Sequence, residues 1–260
     1  MFILKIGGSV ITDKTKPQSF KQKIMDNLAK EIKKANKEII LVHGAGSFGH
    51  ILAKQYNLNE GYSRQDQIKG FSLTHEKVQL LNSLVLKSLH NNSIHAVSIS
   101  PHSILKLNNH KLEQIDCKIF KEYLEKNFTP VTFGDVVLDK KLGFSICSGD
   151  LLASALAKHF TPEKVIFVLD EDGLYESNPK INKDADFIPS ATIGDLEKLR
   201  TSADEHVDVT GGMAGKLQTI KNIANIGVDT VLLNGNKPNR LYKVLIGEDT
   251  RSTIIYGGKK

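Results

Sequence analysis

Short apolar runs bounded by glycine, proline, asparagine or aspartate alternate along the chain with longer stretches whose apolar residues recur at helical spacing. The runs Phe2–Ile6, Ile39–Val42, His95–Ile99, Pro130–Phe133, Lys164–Leu169, Thr230–Leu233 and Ser252–Ile255 predict strands. The stretches Phe20–Ala35, Gln65–His90, Cys117–Asn127, Leu151–His159, Ala214–Ile226 and Asn239–Ile246 predict helices. Continuous apolar strands alternating with helices predict an α/β chain: a mostly parallel open sheet covered on both faces, a three-layer αβα sandwich. Two further pairs of short runs, Ser103–Leu107 with Lys111–Gln114 and Val136–Leu138 with Phe144–Cys147, predict hairpins. Ser177–Ser190, with Pro179 and Pro189, predicts a mobile surface loop. No internal repeat or long linker interrupts the pattern.

Three glycine clusters interrupt the apolar pattern where chemistry is expected. Gly44-Ala45-Gly46-Ser47-Phe48-Gly49-His50 follows the second strand and precedes a helical pattern. Small residues there free backbone N–H groups to face an anion, and a following helix adds the positive end of its dipole. Lys5-Ile6-Gly7-Gly8-Ser9 follows the first strand, and Thr210-Gly211-Gly212-Met213-Ala214-Gly215-Lys216 opens a late helix. Three such turns, two with their own lysine and one with a histidine at its rim, point to two phosphorylated ligands brought together.

Familiar nucleotide motifs do not account for these turns. Gly44, Gly46 and Gly49 match the dinucleotide fingerprint GxGxxG, but no second strand ending in an acid follows about 20 residues later. A Walker A loop ending at Lys216 would need glycine where Thr210 stands.

Composition narrows the class. The 260 residues suffice for one large α/β domain, and no apolar stretch reaches the roughly 20 residues that span a bilayer. The opening Met1-Phe2-Ile3-Leu4-Lys5 is too short for a signal peptide, so a cytoplasmic enzyme is expected. Cys117 and Cys147, the only cysteines, offer no disulfide framework or cysteine-rich zinc site and read as small buried or half-buried hydrophobes. The net charge of +6 suits anionic ligands. Basic residues nevertheless alternate with acidic ones and tryptophan is absent, which argues against nucleic acid as a partner.

The order of these motifs resembles the amino-acid-kinase superfamily over essentially the whole chain. The residues that carry the resemblance are Lys5-x-Gly7-Gly8-Ser9, His43–His50, Ser148-Gly149-Asp150, Asp170-Glu171-Asp172-Gly173-Leu174-Tyr175 and Thr210-Gly211-Gly212-Met213-x-x-Lys216. Within it, the Gly-Ser-Phe-Gly-His50 ending and Ile11-Thr12-Asp13-Lys14 are most similar to the isopentenyl phosphate kinases, with the fosfomycin kinases as nearest alternative. A non-catalytic anion-binding protein on the same fold is the alternative from another class. The chain departs from the pattern at Leu151, where relatives often carry a second acid, and at Leu169, where they usually carry threonine.

The resemblance implies the amino-acid-kinase fold as a single domain over residues 1–260. A lobe of about residues 1–160 would hold a phosphorylated acceptor, a lobe of about 161–260 would hold ATP, and two copies would form a homodimer. It implies phosphoryl transfer from ATP to isopentenyl phosphate. Lys5, Lys14, His50, Asp150 and Lys216 would carry the chemistry. Lys5 would bridge acceptor and transferring group, and His50 would donate to the acceptor phosphate. Asp150 would orient lysines or simply cap the following helix. Gly7, Gly8, Ser9, Ala45, Gly46, Gly49 and Gly149 would line the acceptor phosphate site. Phe71, Thr74, His75, Val78 and Ile146 would line a pocket for the apolar tail. The nucleotide would meet Lys5, Gly8, Asp170, Gly173, Tyr175, Pro179, Lys180, Gly211, Gly212, Met213 and Lys216. Mg²⁺ is expected on phosphates and water, since no dedicated carboxylate cage is visible. His43 is expected to support its strand end.

Overall fold

The computed structural model describes residues 1–13, 15–177, 179, 181–197 and 212–258, with only the backbone described over 212–214. Fourteen strands, β1 to β14 in chain order, occur among the described residues. They are β1 Phe2–Ile6, β2 Ile39–His43, β3 Ala96–Ser98, β4 Leu105–Asn108, β5 Lys111–Ile115, β6 Thr129–Phe133, β7 Asp135–Asp139 and β8 Gly143–Cys147. The remainder are β9 Lys164–Leu169, β10 Leu174–Tyr175, β11 Phe187–Ile188, β12 Ser190–Ala191, β13 Asp229–Asn234 and β14 Thr253–Ile255. Among the described residues the helices include α1 Gly8–Ile11, α2 Gln22–Ala35, α3 Gly46–Gln55, α4 Asp66–Asn91, α5 Pro101–Ile104, α6 Lys118–Leu124, α7 Gly149–Phe160, α8 Gly212–Asn225 and α9 Arg240–Ile246.

The main sheet has eight strands in the order β12-β14-β13-β9-β1-β2-β6-β3, parallel throughout except where β14 runs against β13. Its strands are fully covered because successive side chains serve opposite layers. Ile3, Ile40, Val42, Val165, Phe167 and Leu232 meet Phe120 of α6, Leu156 of α7 and Ile220 of α8. Leu4, Ile6, Leu41, Ile166, Val168 and Leu233 meet Leu28 of α2, Val85 of α4 and Leu245 of α9. This is the expected three-layer αβα sandwich. A third apolar cluster, Ala53, Leu58, Val136 and Phe144 with Tyr56, Phe71 and Ile146 against it, lies between α3, α4 and the β7–β8 hairpin.

The structure extends one local expectation and corrects two. First, both hairpins form, β4 with β5 and β7 with β8, and β4 also pairs in parallel with β7, joining them into one four-stranded sheet, β5-β4-β7-β8. Asp139 fastens the junction, accepting hydrogen bonds from the backbone N–H groups of Asn109, His110, Lys141 and Leu142 and from the Ser145 hydroxyl. Second, both N-terminal glycine turns enter helices inside the motif, at Gly8 and Gly46, where glycine propensity alone disfavours helix. Burial of Val10, Ile11 and Phe48 against the sheet overrides that cost. Third, Ser177–Ser190 is not loop throughout: Leu174 and Tyr175 pair with Ile188 and Phe187 in an antiparallel ladder that uses its C-terminal end.

Among the described residues no helix is long and apolar enough to cross a membrane.

Candidate active site

The central strands β9, β1, β2 and β6 are parallel, so their carboxyl ends lie at one edge of the sheet and deliver Asp170, Gly7, Gly44 and Gly134 there. Open α/β sheets bind ligands at this edge. Two of the glycine turns touch. A Cβ at Gly8 would lie 2.5 Å from the Gly46 nitrogen, and Gly46 itself has φ of +51° with a Cβ position 2.3 Å from Thr12 Oγ1. Neither position accommodates a side chain, and Gly46 also needs the left-handed region.

Thr12, fully buried, staples the two turns. Its hydroxyl donates to the Gly8 carbonyl at 2.7 Å and accepts from the Ser47 N–H at 3.0 Å. Nothing in the order of motifs assigns Thr12 a role; its signal in the sequence is a hydroxyl four residues after a glycine turn, within reach of that turn's carbonyl. Thr12→Val keeps the shape and leaves the buried Ser47 N–H unpaired, while the Gly8 carbonyl keeps the Thr12 N–H at 2.9 Å, so a loss of about 1–3 kcal/mol is expected in denaturant titrations. Thr12→Ser is expected to retain most of the stability, and equal stability of the valine variant would show the staple to be dispensable.

The first turn is tied to the opposite half of the sheet as well. Gly7 N–H donates to Val168 O at 2.8 Å, the Ser9 hydroxyl donates to Asp170 Oδ1 at 3.0 Å, and Lys21 Nζ donates to Ser9 O at 2.9 Å.

Beside these turns three charged groups converge. Lys5 Nζ, from β1, lies 2.6 Å from Asp150 Oδ1, and Lys216 Nζ, from α8, lies 2.9 Å from Asp150 Oδ2. One carboxylate thus holds two ammonium groups that come from sequence positions far apart. Both ammoniums stand over the Phe167 ring, at 6.0 and 5.4 Å from its centroid. Ser148, not Asp150, caps α7: its hydroxyl accepts the Leu151 N–H at 3.1 Å. Asp150 is left to the lysines. A Cβ at Gly149 would lie 3.4 Å from Lys5 Cε, so the glycine leaves room for the stem of that lysine.

The electrostatics follow from burial. Lys5 is only 6% exposed, and desolvation together with the Lys216 charge lowers its pKa to about 8 despite Asp150. Burial works against the Asp150 charge, yet Lys5 and Lys216 hold its pKa down to about 2. The array therefore offers cationic, poorly solvated donors that a phosphate can recruit.

The remaining predicted residues distribute as follows. His50 is exposed on α3, and Ala45 and Gly49 flank it, Gly49 packing against Val78 of α4. His43 is buried, with Nδ1 3.1 Å from the Gly44 carbonyl, Nε2 3.2 Å from Asn82 Oδ1 and its ring on Phe133. Burial pushes its pKa down to about 4, so it is neutral and supports the strand end.

The face of α4 assigned to the tail divides. Val78 and Thr74 lie under α3, and Phe71 meets Phe144 with ring centroids 5.3 Å apart. Ile146 packs in the same cluster, while His75 Nδ1 lies 2.7 Å from Asp135 Oδ2.

Of the nucleotide-side residues, Asp170 and Gly173 follow β9, and Tyr175 packs edge-on against Phe187. The neighbouring Asp172 anchors this segment through Arg240, Arg251 and Asn234. Pro179 is half-buried, and Gly212 and Met213 open α8. Lys14, Lys180 and Gly211 lie outside the described residues.

Glycine turns at the carboxyl ends of parallel strands, with paired lysines beside them, define a phosphoryl-transfer type of site, and the chain belongs to the amino acid kinase family, whose model matches residues 1–234. The chain is similar to the isopentenyl phosphate kinase of Methanothermobacter thermautotrophicus, 36% identical over 266 residues and covering 99% of both chains. It is also similar to that of Methanocaldococcus jannaschii, 35% identical with 95% of each covered. A solved isopentenyl phosphate kinase superposes with a TM-score of 0.86 at 33% identity, covering 98% of this chain and 99% of the other.

Proposed function

We propose that this chain transfers the γ-phosphoryl group of ATP to isopentenyl phosphate, giving isopentenyl diphosphate and ADP. The observation that carries the reading is the convergence of Lys5 and Lys216 on Asp150 beside two touching glycine turns. Full-length similarity to isopentenyl phosphate kinases supplies the acceptor. A phosphate monoester has a second pKa near 6 and is largely dianionic at neutral pH, so its oxygen attacks without a strong general base. The barrier is the approach of two anions, which positioned cations and backbone donors lower. Lys5 neutralises charge between acceptor and transferring group, Lys216 holds the nucleotide phosphates, and Asp150 keeps both ammoniums aimed. The N–H groups of the turns around Gly7–Ser9 and Ala45–Gly49 hold the acceptor phosphate.

The donor set beside the glycine turns is cationic, and both Asp150 oxygens are engaged by lysines. That fits Mg²⁺ carried on nucleotide phosphates and water, where it supplies further charge neutralisation. The same reading makes the chain a cytoplasmic homodimer, with the acceptor on the N-terminal lobe and ATP on the C-terminal lobe; light scattering of the purified chain tests the dimer.

The deciding measurement is turnover over isopentenyl phosphate, dimethylallyl phosphate, fosfomycin, glutamate, acetylglutamate, aspartate and uridylate. Highest kcat/KM on isopentenyl phosphate is expected. Preference for fosfomycin would make the chain a phosphonate kinase, and ATP binding without transfer to any acceptor would overturn the enzyme reading.

His50→Ala is expected to raise KM for the acceptor much more than KM for ATP, with His50→Gln recovering part of the loss through neutral hydrogen bonding. Equal impairment of both substrates would move His50 away from the acceptor. Phe71 stands seven residues, about 10 Å along α4, from the Val78 contact with the phosphate turn. Phe71→Ala is therefore expected to deepen the tail pocket and favour ten-carbon over five-carbon monophosphates in relative kcat/KM, at up to about 0.8 kcal/mol per methylene accommodated. An unchanged ratio with lowered stability would make Phe71 plain core.

A further inference from the structure

On the acceptor side of the fold, His75 of α4, His102 of α5 and Asp135 of β7 converge. One donor atom from each lies within 4.8 Å of the others. We propose that these three side chains form a binding site for a borderline first-row divalent cation, of the zinc class, that clamps α4 and α5 to β7.

The donor chemistry is selective. Two imidazoles and one carboxylate suit zinc and its neighbours, whereas Mg²⁺ prefers an all-oxygen octahedron. Bonds of about 2.0–2.2 Å to such an ion bring donors within about 3.5 Å of one another. His75 Nδ1 and Asp135 Oδ2 are already 2.7 Å apart, so most of the closure falls to His102. His102 is exposed on the four-residue α5, with Nε2 3.2 Å from the Ser103 hydroxyl, so closure exchanges that contact for the metal bond, and its ring already meets that of His75 edge-on with centroids 4.4 Å apart.

Asp135 and His102 are also held from behind, as metal ligands require. Asp135 is 2% exposed, and its Oδ1 accepts the Val136 N–H at 2.8 Å. The Ser100 hydroxyl lies 2.9 Å from His102 Nδ1 and accepts from Gln79 Nε2 at 2.9 Å. Gln79 Nε2 in turn lies 3.5 Å from His75 Nε2. The buried carboxylate forms the floor, and the two histidines leave the outer side open to solvent for entry and for water ligands.

The consequence reaches the acceptor turn through α4. Thr74 and Val78, on either side of His75, face the Cβ position of Gly49 at 3.9 and 2.8 Å. A cation that ties α4 to β7 therefore fixes the wall behind the second glycine turn.

The test uses the full chain with any affinity tag removed, stripped with chelator and titrated with Co²⁺, then Zn²⁺. A single equivalent of Co²⁺ is expected to bind with the visible d–d bands of a four- or five-coordinate nitrogen–oxygen site, to be displaced by Zn²⁺, and to raise Tm. His102→Ala, at an exposed position, is expected to weaken binding at least tenfold, as is Asp135→Asn where it folds, whereas His159→Ala on distant α7 leaves it unchanged. Absence of the d–d bands, or the same affinity in His102→Ala, would overturn the site.

Discussion

Replacing Lys5 by alanine is expected to lower kcat by roughly 10²-fold or more, equivalent to about 2.7 kcal/mol of transition-state stabilisation, without unfolding the protein. The expectation rests on where the ammonium sits. It is poorly solvated, at the carboxyl end of the central strand, and pinned on Asp150 at 2.6 Å, so little reorganisation is needed when charge develops beside it. The fold should tolerate the loss, because Asp150 keeps its 2.9 Å pairing with Lys216 and one of two mutually repelling ammoniums is gone. Lys5→Arg is not expected to restore the rate, since a planar fork replaces a point charge in a space shaped by Gly149. The measurement is kcat at saturating ATP and acceptor, with Tm alongside. A folded alanine variant of near-normal kcat would remove Lys5 from the reaction.

The alkaline side of the pH profile carries a second reading of the same residue. With its pKa lowered to about 8, Lys5 loses its proton in the free protein above that pH, so kcat/KM falls there. Bound phosphates favour the ammonium, so the corresponding limb in kcat lies at higher pH.

Much of this site is visible in the sequence because its parts are glycine turns fixed to strand ends. Gly7-Gly8 and Gly44-Ala45-Gly46 follow apolar runs that read as strands, and a parallel sheet necessarily brings such ends together. The order of motifs also pointed to Lys5, Asp150 and Lys216, which do meet. What sequence could not supply is pairing across long separations. Nothing in the runs Leu105–Asn108 and Asp135–Asp139 announces that they lie side by side, because a parallel contact between two hairpins leaves no turn signature. The same holds for Thr12, whose role depends on Ser47 arriving opposite it. Helical spacing placed Phe71, Thr74, His75 and Val78 on one face correctly. Spacing alone does not reveal that the face meets three different neighbours: an aromatic cluster, a carboxylate and a glycine turn.

Asp150→Asn is expected to damage both stability and rate, and to do so with a distinctive pH dependence. Removing one partner of a buried ion pair typically costs about 3–5 kcal/mol, because the remaining charge is stranded. Here two ammonium groups would be stranded together, and the asparagine amide can accept from them with only one oxygen. Lys5 would respond by giving up its proton more readily: the Asp150 charge that raises its pKa is gone, while burial and Lys216 continue to lower it. The sign follows from proton counts. Between the depressed folded pKa of Lys5 and its unfolded value near 10.5, the unfolded chain binds more protons, so stability rises with pH across that window. The stability deficit of Asp150→Asn relative to the parent should therefore be largest below the variant's lowered Lys5 pKa and shrink as pH rises through it. The alkaline limb of kcat/KM should move down from about 8 in the same variant, costing about tenfold in rate for each pH unit by which it falls below the assay pH. Denaturant titrations at several pH values, paired with pH–rate profiles of both proteins, provide the check. A variant whose stability deficit is independent of pH and whose alkaline limb stays near that of the parent would show that Asp150 does not control the charge on Lys5.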